Sequence, residues 1–204
     1  MTDVRIHRVG ELTWEQVRDR LAAGATALVG IGAGAKEHGL HLPMGTDLLQ
    51  ADWLGAEVAR SLAARRADTL IWPTIAYGAY PAFVAYAGSV TLSEATHRAL
   101  VGEIVTGLVG FGATRVVVID TGISTIAPTA AALAGLDAVL HVPIHAGRRY
   151  RAAADRLAEQ TWGTHADELE TSRMLVIAPD AVDMAQATDP PAPPGGERRG
   201  ALDP

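Results

Sequence analysis

The chain has 204 residues, is 49% hydrophobic, carries a net charge of −6 and contains no cysteine, which suits one well-cored domain rather than two. The missing cysteine excludes a disulfide framework, cysteine-ligated zinc or iron–sulfur centres and thiolate nucleophiles, so any catalysis must use His, Asp, Glu, Ser, Thr, Tyr or Lys. The acidic balance excludes a sequence-independent nucleic-acid binder, and no apolar run approaches the ~18–20 residues of a membrane span, so the expected compartment is the cytoplasm.

Along the chain, apolar strands alternate with helical periodicity. Thr13 followed by Gln16 has the form of a capping box opening a helix to about Ala23, and the apolar run 26–31 is a buried strand. After a polar, glycine-rich loop, Leu48, Leu49, Trp53, Leu54, Val58 and Leu62 recur at helical spacing over about 47–66, and a short strand covers 68–72. Residues 73–89 form a 17-residue irregular segment, longer than ordinary connections and therefore a functional or interface loop. Ser93 caps a helix to Gly110, 114–119 is the clearest strand, Pro128 to Ala134 is helical, and a strand spans 138–144. Helices over about 148–160 and 166–177 follow, and from 185 to 204 the composition turns to Pro, Gly, Asp and Arg, which marks a disordered tail behind a domain of residues 1–184.

This alternation implies a single-domain, three-layer α/β/α fold with a mostly parallel central sheet. Ligands of such sheets bind beyond the carboxyl ends of the strands. Three segments fall there: 32–47, 73–89 and 120–127.

The chemistry gathers in the first of these segments. Lys36, Glu37, His38, His41 and Asp47 place an ammonium, two carboxylates and two imidazoles within twelve residues, and Lys36 is the only lysine among 17 basic residues. Imidazole with carboxylate suits zinc, manganese or iron(II), which bring bound water close to neutrality as a source of hydroxide. The plainer alternative is that His38 and Asp47 only tie the loop down. His7, His97 and His141 carry no motif.

The stretch Glu37-His38-Gly39-Leu40-His41-Leu42-Pro43, continuing to Thr46-Asp47, resembles the signature of the creatininase family. Tyr77-Gly78 with the run 86–92, and the run from His165 through Glu170-Thr171-Ser172 to Leu175, resemble two further motifs of that family in order and spacing. The resemblance implies a parallel α/β domain, usually a hexamer, with a metal centre that hydrolyses amide bonds in small cyclic or formylated compounds. Family metal ligands carry over to His38 and Asp47. They do not carry over at Lys36, where the family has glutamate, or at Gly122, where it has histidine.

An ammonium a few ångströms from a cation is unfavourable by on the order of 4 kcal/mol at 4 Å and an effective dielectric near 20. The expectation is therefore a reduced site in which one zinc, manganese or iron ion is held by His38, Asp47 and Glu170, with Glu37 within reach. His165 or Glu170 would move the proton, and Lys36 would stabilise an oxyanion or anchor an anionic group. Tyr77, Tyr80 and Tyr86 line the pocket or form subunit contacts; Thr121 and Ser124, like Thr125, line it or cap the next helix; His41 is a further substrate contact. The expected activity is hydrolysis of an amide, lactam or similar C–N bond in a small polar substrate by a homo-oligomer. Two alternatives stand beside it: a metal-free, Lys36-centred cyclase, lyase or isomerase, in which the lysine takes the place of the missing cation or acts as a nucleophile, and a catalytically silent binding subunit.

Overall fold

The computed structural model describes residues 6–160, 163 and 165–188. The elements are β1 (His7–Arg8), α1 (Trp14–Ala22), β2 (Thr26–Ile31), α2 (Thr46–Ala63), β3 (Thr69–Ile71), α3 (Glu94–Gly110), β4 (Val116–Asp120), α4 (Ile126–Leu133), β5 (Val139–Pro143), α5 (Arg148–Leu157) and α6 (Glu168–Ile177). The five strands form one sheet, all parallel, in the order β1-β3-β2-β4-β5. The expected α/β architecture with a parallel sheet is the one observed.

Side-chain alternation builds the layers. In β2 every residue is buried. Ala27, Val29 and Ile31 join Val116 and Val118 of β4 in a core with Val101, Val105 and Leu108 of α3 and Leu133 of α4. Leu28 and Val117 point into the opposite layer, against Val58 and Ala59 of α2 and Ile71. A strand buried on both faces carries no polar alternation, and this is why the run 26–31 was legible as apolar throughout.

The helix starts follow local chemistry. Gln16 N–H donates to Thr13 Oγ1 at 3.4 Å and Thr13 N–H to the Gln16 side chain at 2.9 Å, completing the capping box. Ser93 Oγ accepts from Thr96 N–H at 3.1 Å ahead of α3. α4 begins at Ile126, two residues before the proline expected to open it, and the Thr125 hydroxyl does not cap it but donates to Asp120 Oδ1 at 2.6 Å. Strand β1, only two residues long, lies below what periodicity can detect. Of the expected tail, residues 189–204 lie outside the described residues; Met184–Gln186 form a 3-10 turn, and Asp183 N–H donates to His41 O at 2.9 Å. Among the described residues no helix is long and apolar enough to cross a membrane.

The chain leaves β2 toward β3 on one side, and β4 lies on the other, so the winding reverses between β2 and β4. Crevices open at such reversals, beyond the carboxyl ends of the strands. At the same end, Gly32 lets β2 approach the first turn of α2: a Cβ there would lie 2.3 Å from Asp47 O and 2.9 Å from Thr121 Oγ1. Only glycine permits this approach, which sets Asp47 over the end of the sheet.

His97 joins the two helices of one layer: buried on α3, it meets Thr129 Oγ1 of α4 through Nε2 at 2.9 Å. Burial lowers its pKa, partly opposed by the charge of Asp120. The unfolded imidazole, with its pKa near about 6.5, therefore binds a proton more readily than the folded one. Stability is complete above that pH and is lost as pH falls toward the lowered folded value. Thermal melting at successive pH values is expected to show Tm falling as pH drops from 7 to 5, with His97→Gln flattening the fall; a profile unchanged by the substitution would remove His97 from this role.

Candidate functional site

A cavity of about 210 Å³ lies beyond the sheet, lined by residues from every major loop at that end: Lys36 and Asp47 after β2, Phe83 after β3, Thr121, Ile123 and Ser124 after β4, His145 after β5, and His165 and Glu170 at the start of α6. The parallel topology alone brings these segments together, since each strand delivers its following loop to the same edge.

Lys36 and Asp47 form the centre of the charge arrangement. Lys36 Nζ lies 2.7 Å from Asp47 Oδ2, with both side chains almost wholly buried. The ammonium sits 5.3 Å from the Tyr80 ring centre and 5.0 Å from that of Phe83, within cation–π range of both. Burial would raise the Asp47 carboxyl, but contact with His38 and the charge of Lys36 outweigh it and hold the pKa down at about 2. Asp47 is also in the first turn of α2, where the helix dipole favours an anion. An ammonium in contact with a carboxylate has no lone pair for attack on a carbonyl, so this geometry favours a charge-stabilising role for Lys36 over a nucleophilic one.

The imidazoles surround this pair. His38 Nδ1 donates to the Lys36 carbonyl at 2.8 Å, and Nε2 stands 3.3 Å from Asp47 Oδ1 and 4.0 Å from Glu170 Oε1. His165 Nε2 donates to Glu37 Oε2 at 3.0 Å, and Nδ1 is 3.9 Å from Glu170 Oε2. Burial and the positive charge of Lys36 lower the His165 pKa. Glu170, in the first turn of α6, accepts from Ala166 N–H at 2.7 Å and from Gln50 Nε2 at 3.2 Å. Ala166 adopts φ +47°, a left-handed conformation rare for a residue with a Cβ, and its bond to Glu170 helps to hold it.

Other expected site residues take varied places. Glu37 keeps both carboxylate oxygens engaged, one by His165 and one by Gly39 N–H. His41 is buried and reaches Thr171 Oγ1 at 2.8 Å, tying the loop to α6. The Thr121 hydroxyl donates to the carbonyls of Ile31 and Asp47 at 3.0 and 3.1 Å, and Ser124 Oγ donates to Ala79 O at 2.8 Å, so both line the cavity with committed hydroxyls. Tyr80 is fully buried beside Lys36, whereas Tyr77 and Tyr86 are about half exposed (49% and 51%) and are not brought to the cavity.

Sequence reasoning missed Phe83, Ile123 and His145. His145 Nε2 donates to Thr121 O at 3.0 Å, and burial, followed by the charge of Arg173, lowers its pKa. Its signal was available: it directly follows a strand expected to end at Ile144, at the carboxyl edge where ligands bind.

The family model described as Creatinine amidohydrolase matches residues 10–202. The chain belongs to the creatininase family. A creatinine amidohydrolase of Pseudomonas putida is 28% identical over 208 residues, covering 90% of this chain and 77% of that protein. Two solved structures are similar: one named "Creatininase Mn" (25% identity, TM-score 0.79, 92% of this chain and 79% of that one), and a crystal structure of creatinine amidohydrolase (27% identity, TM-score 0.75, 94% and 79%).

The residues present do not fit the family's full ligand set. The Lys36 ammonium rests on Asp47. A Cβ on Gly122 would lie 2.5 Å from Thr125 Oγ1 and 3.4 Å from the Tyr80 ring, so there is no room for an imidazole without displacing that hydroxyl. What remains still offers imidazole and carboxylate donors to a metal ion. His38 Nε2 is buried, finds no well-formed hydrogen bond among the described residues, and faces two carboxylates at 3.3 and 4.0 Å.

Proposed function

We propose that this creatininase-family chain hydrolyses the C–N bond of an amide or lactam in a small polar molecule, at a site reduced to one divalent ion. The observation that carries this reading is the buried convergence, from two separate sequence motifs, of Lys36, Asp47 and Glu170 on one cavity beyond the sheet, with His38 packed behind them against both carboxylates. The cavity's volume suits a compact substrate, and the family's name for its activity, creatinine amidohydrolase, supports the bond type.

A zinc, manganese or iron ion held by His38 and Glu170 would supply a water acidified toward neutrality. The chain's own residues do the rest. Lys36 directs its ammonium at the carbonyl oxygen, where charge develops as the carbonyl carbon becomes tetrahedral. Asp47 fixes the position of Nζ, and the Tyr80 and Phe83 rings keep water from that side of the ammonium, which strengthens its effect. His145 has its Nε2–H committed to Thr121 O, so in the neutral ring Nδ1 is left to accept a proton or a substrate N–H. We further propose self-association as a homo-oligomer, a hexamer by family resemblance, which the exposed Tyr77, Val84 and Tyr86 of the long loop and Val90 just after it support.

A panel of lactams, cyclic ureides and simple amides, assayed by mass spectrometry for the carboxylic acid formed when water adds across the C–N bond, tests the reading. Hydrolysis is expected on at least one cyclic amide, abolished by a chelator and restored by manganese or zinc. Metal-loaded protein inert toward every C–N bond in the panel would overturn it.

A further inference from the structure

Three potential metal-donor atoms, from His38, His165 and Glu170, converge beside the cavity. The Lys36 carbonyl takes the Nδ1 proton of His38 at 2.8 Å, so once the ring is neutral, as a metal ligand must be, Nε2 is its lone-pair nitrogen, 3.3 Å from Asp47 Oδ1 and 4.0 Å from Glu170 Oε1. The Glu37 carboxylate takes the Nε2 proton of His165 at 3.0 Å, which makes Nδ1 the lone-pair nitrogen there, 3.9 Å from Glu170 Oε2. Glu170 brings carboxylate oxygens that each accept one hydrogen bond, from Gln50 and from Ala166, and each keeps a lone pair. A donor atom from each of His38, His165 and Glu170 lies within 4.8 Å of the other two.

We propose that these three residues form the divalent-metal site of this chain, displaced toward α6 by Lys36. This rests on the single-metal reading above and deepens it: His165 becomes a ligand rather than a proton carrier, and Glu37 becomes its orienting partner rather than a ligand. The backbone carbonyl behind His38 and the carboxylate behind His165 match the usual support of metal-bound imidazoles, in which the second ring nitrogen donates to a carbonyl or carboxylate. Tetrahedral zinc with bonds near 2.1 Å spaces its ligands roughly 3.4 Å apart, so the triad needs only a modest contraction to close on an ion. Lys36 explains the displacement. Its ammonium, 2.7 Å from Asp47 Oδ2, already neutralises the carboxylate that would otherwise draw the ion to the far side of His38. Gly39, at φ +71°, makes the closure possible: a Cβ there would lie 3.1 Å from that of Ala166, so only glycine lets the loop carrying His38 approach the turn carrying His165.

The test is titration of the chelator-stripped full-length protein with Co²⁺, read both by calorimetry and by the visible d–d absorption of the bound ion. One equivalent of Co²⁺ per chain is expected, with an absorption spectrum that changes on His165→Gln. His165→Gln and Glu37→Gln are each expected to weaken binding roughly 10–100-fold. The double variant Lys36→Met with Asp47→Asn, which removes the ion pair as a unit, is expected to keep single-ion binding within about threefold. Thermal melting of each variant without Co²⁺ establishes that it is folded, and the wild-type stoichiometry and spectrum bear on the proposal without any variant. Two equivalents of Co²⁺, no binding at millimolar Co²⁺, or affinity and spectrum unchanged in a folded His165→Gln variant would overturn the proposal. Single-ion binding through His165 in a protein that hydrolyses no amide would leave this site standing and remove the hydrolase reading instead.

Discussion

Lys36→Met in chelator-treated protein is expected to cost about 3–5 kcal/mol of stability, because it strips the buried Asp47 carboxylate of its cationic partner and leaves only His38 beside it. The carboxyl is held down at about 2 by His38 and Lys36 against its burial. The stability from this low pKa is present above the ordinary carboxylate value and is lost only as pH falls toward the folded one, so at neutral pH the wild type keeps all of it. For a domain of this size the loss corresponds to a fall in Tm of roughly 10 °C, measurable by calorimetry. Combining Lys36→Met with Asp47→Asn should recover most of it, since removing both charges leaves nothing stranded. Activity is expected to behave differently. Both the single and the double variant should lose about 10²–10³ in kcat, since neither offers a cation to the developing oxyanion. A Lys36→Met protein as stable as wild type would show that the ion pair does not hold the site together, and one with wild-type kcat would show that the ammonium is not the electrophile.

The uneven legibility of the sequence has the same physical root. Strand β2 and the starts of α1 and α3 were readable because their causes are local: a run of apolar residues buried on both faces, and cap residues three positions from their partners. The crevice was readable because parallel topology sends all the loops to one edge whatever their sequence. The pairing inside it was not. That Lys36 touches Asp47, or that His165 reaches Glu37 across 128 positions, depends on distances fixed only by packing. The orientation of the tyrosines in the 73–89 loop stayed open between pocket and subunit contact for a related reason: a segment without period gives no rule for which side chains face inward, so Tyr77 and Tyr86 could not be told from Phe83. Position 122 shows the reverse case. A missing histidine was visible in the sequence, but that the space beside it is filled by Thr125 and Tyr80, which makes the loss hard to reverse by one substitution, was not.

Glu170→Gln is expected to lower kcat about 10³-fold while leaving the fold nearly as stable as wild type. Its shape is preserved, so the amide oxygen still accepts from Ala166 N–H, and what is lost is the bond from Gln50, at about 1 kcal/mol, and the long 3.9 Å pairing with Arg173. What disappears is the charge. Glu170 is the carboxylate that faces both His38 and His165, and it is not held by the Lys36 ammonium as Asp47 is. Loss of that anion weakens the hold on a divalent ion and on any positive charge formed in the cavity, and electrostatic groups of this kind are typically worth 10²–10³ in rate. Glu170→Ala makes the useful contrast. It strands both the Gln50 amide and the Ala166 N–H, each at about 1–3 kcal/mol, and frees the left-handed Ala166 turn from its tether, so stability and rate fall together. Kinetics and melting of the two variants side by side separate the roles: rate loss in both with Tm loss only in the alanine variant assigns the chemistry to the charge and the scaffold to the hydrogen bonds. Wild-type kcat in Glu170→Gln would mean that the carboxylate serves the turn alone, and the reaction would then have to be rebuilt around Lys36 and His145.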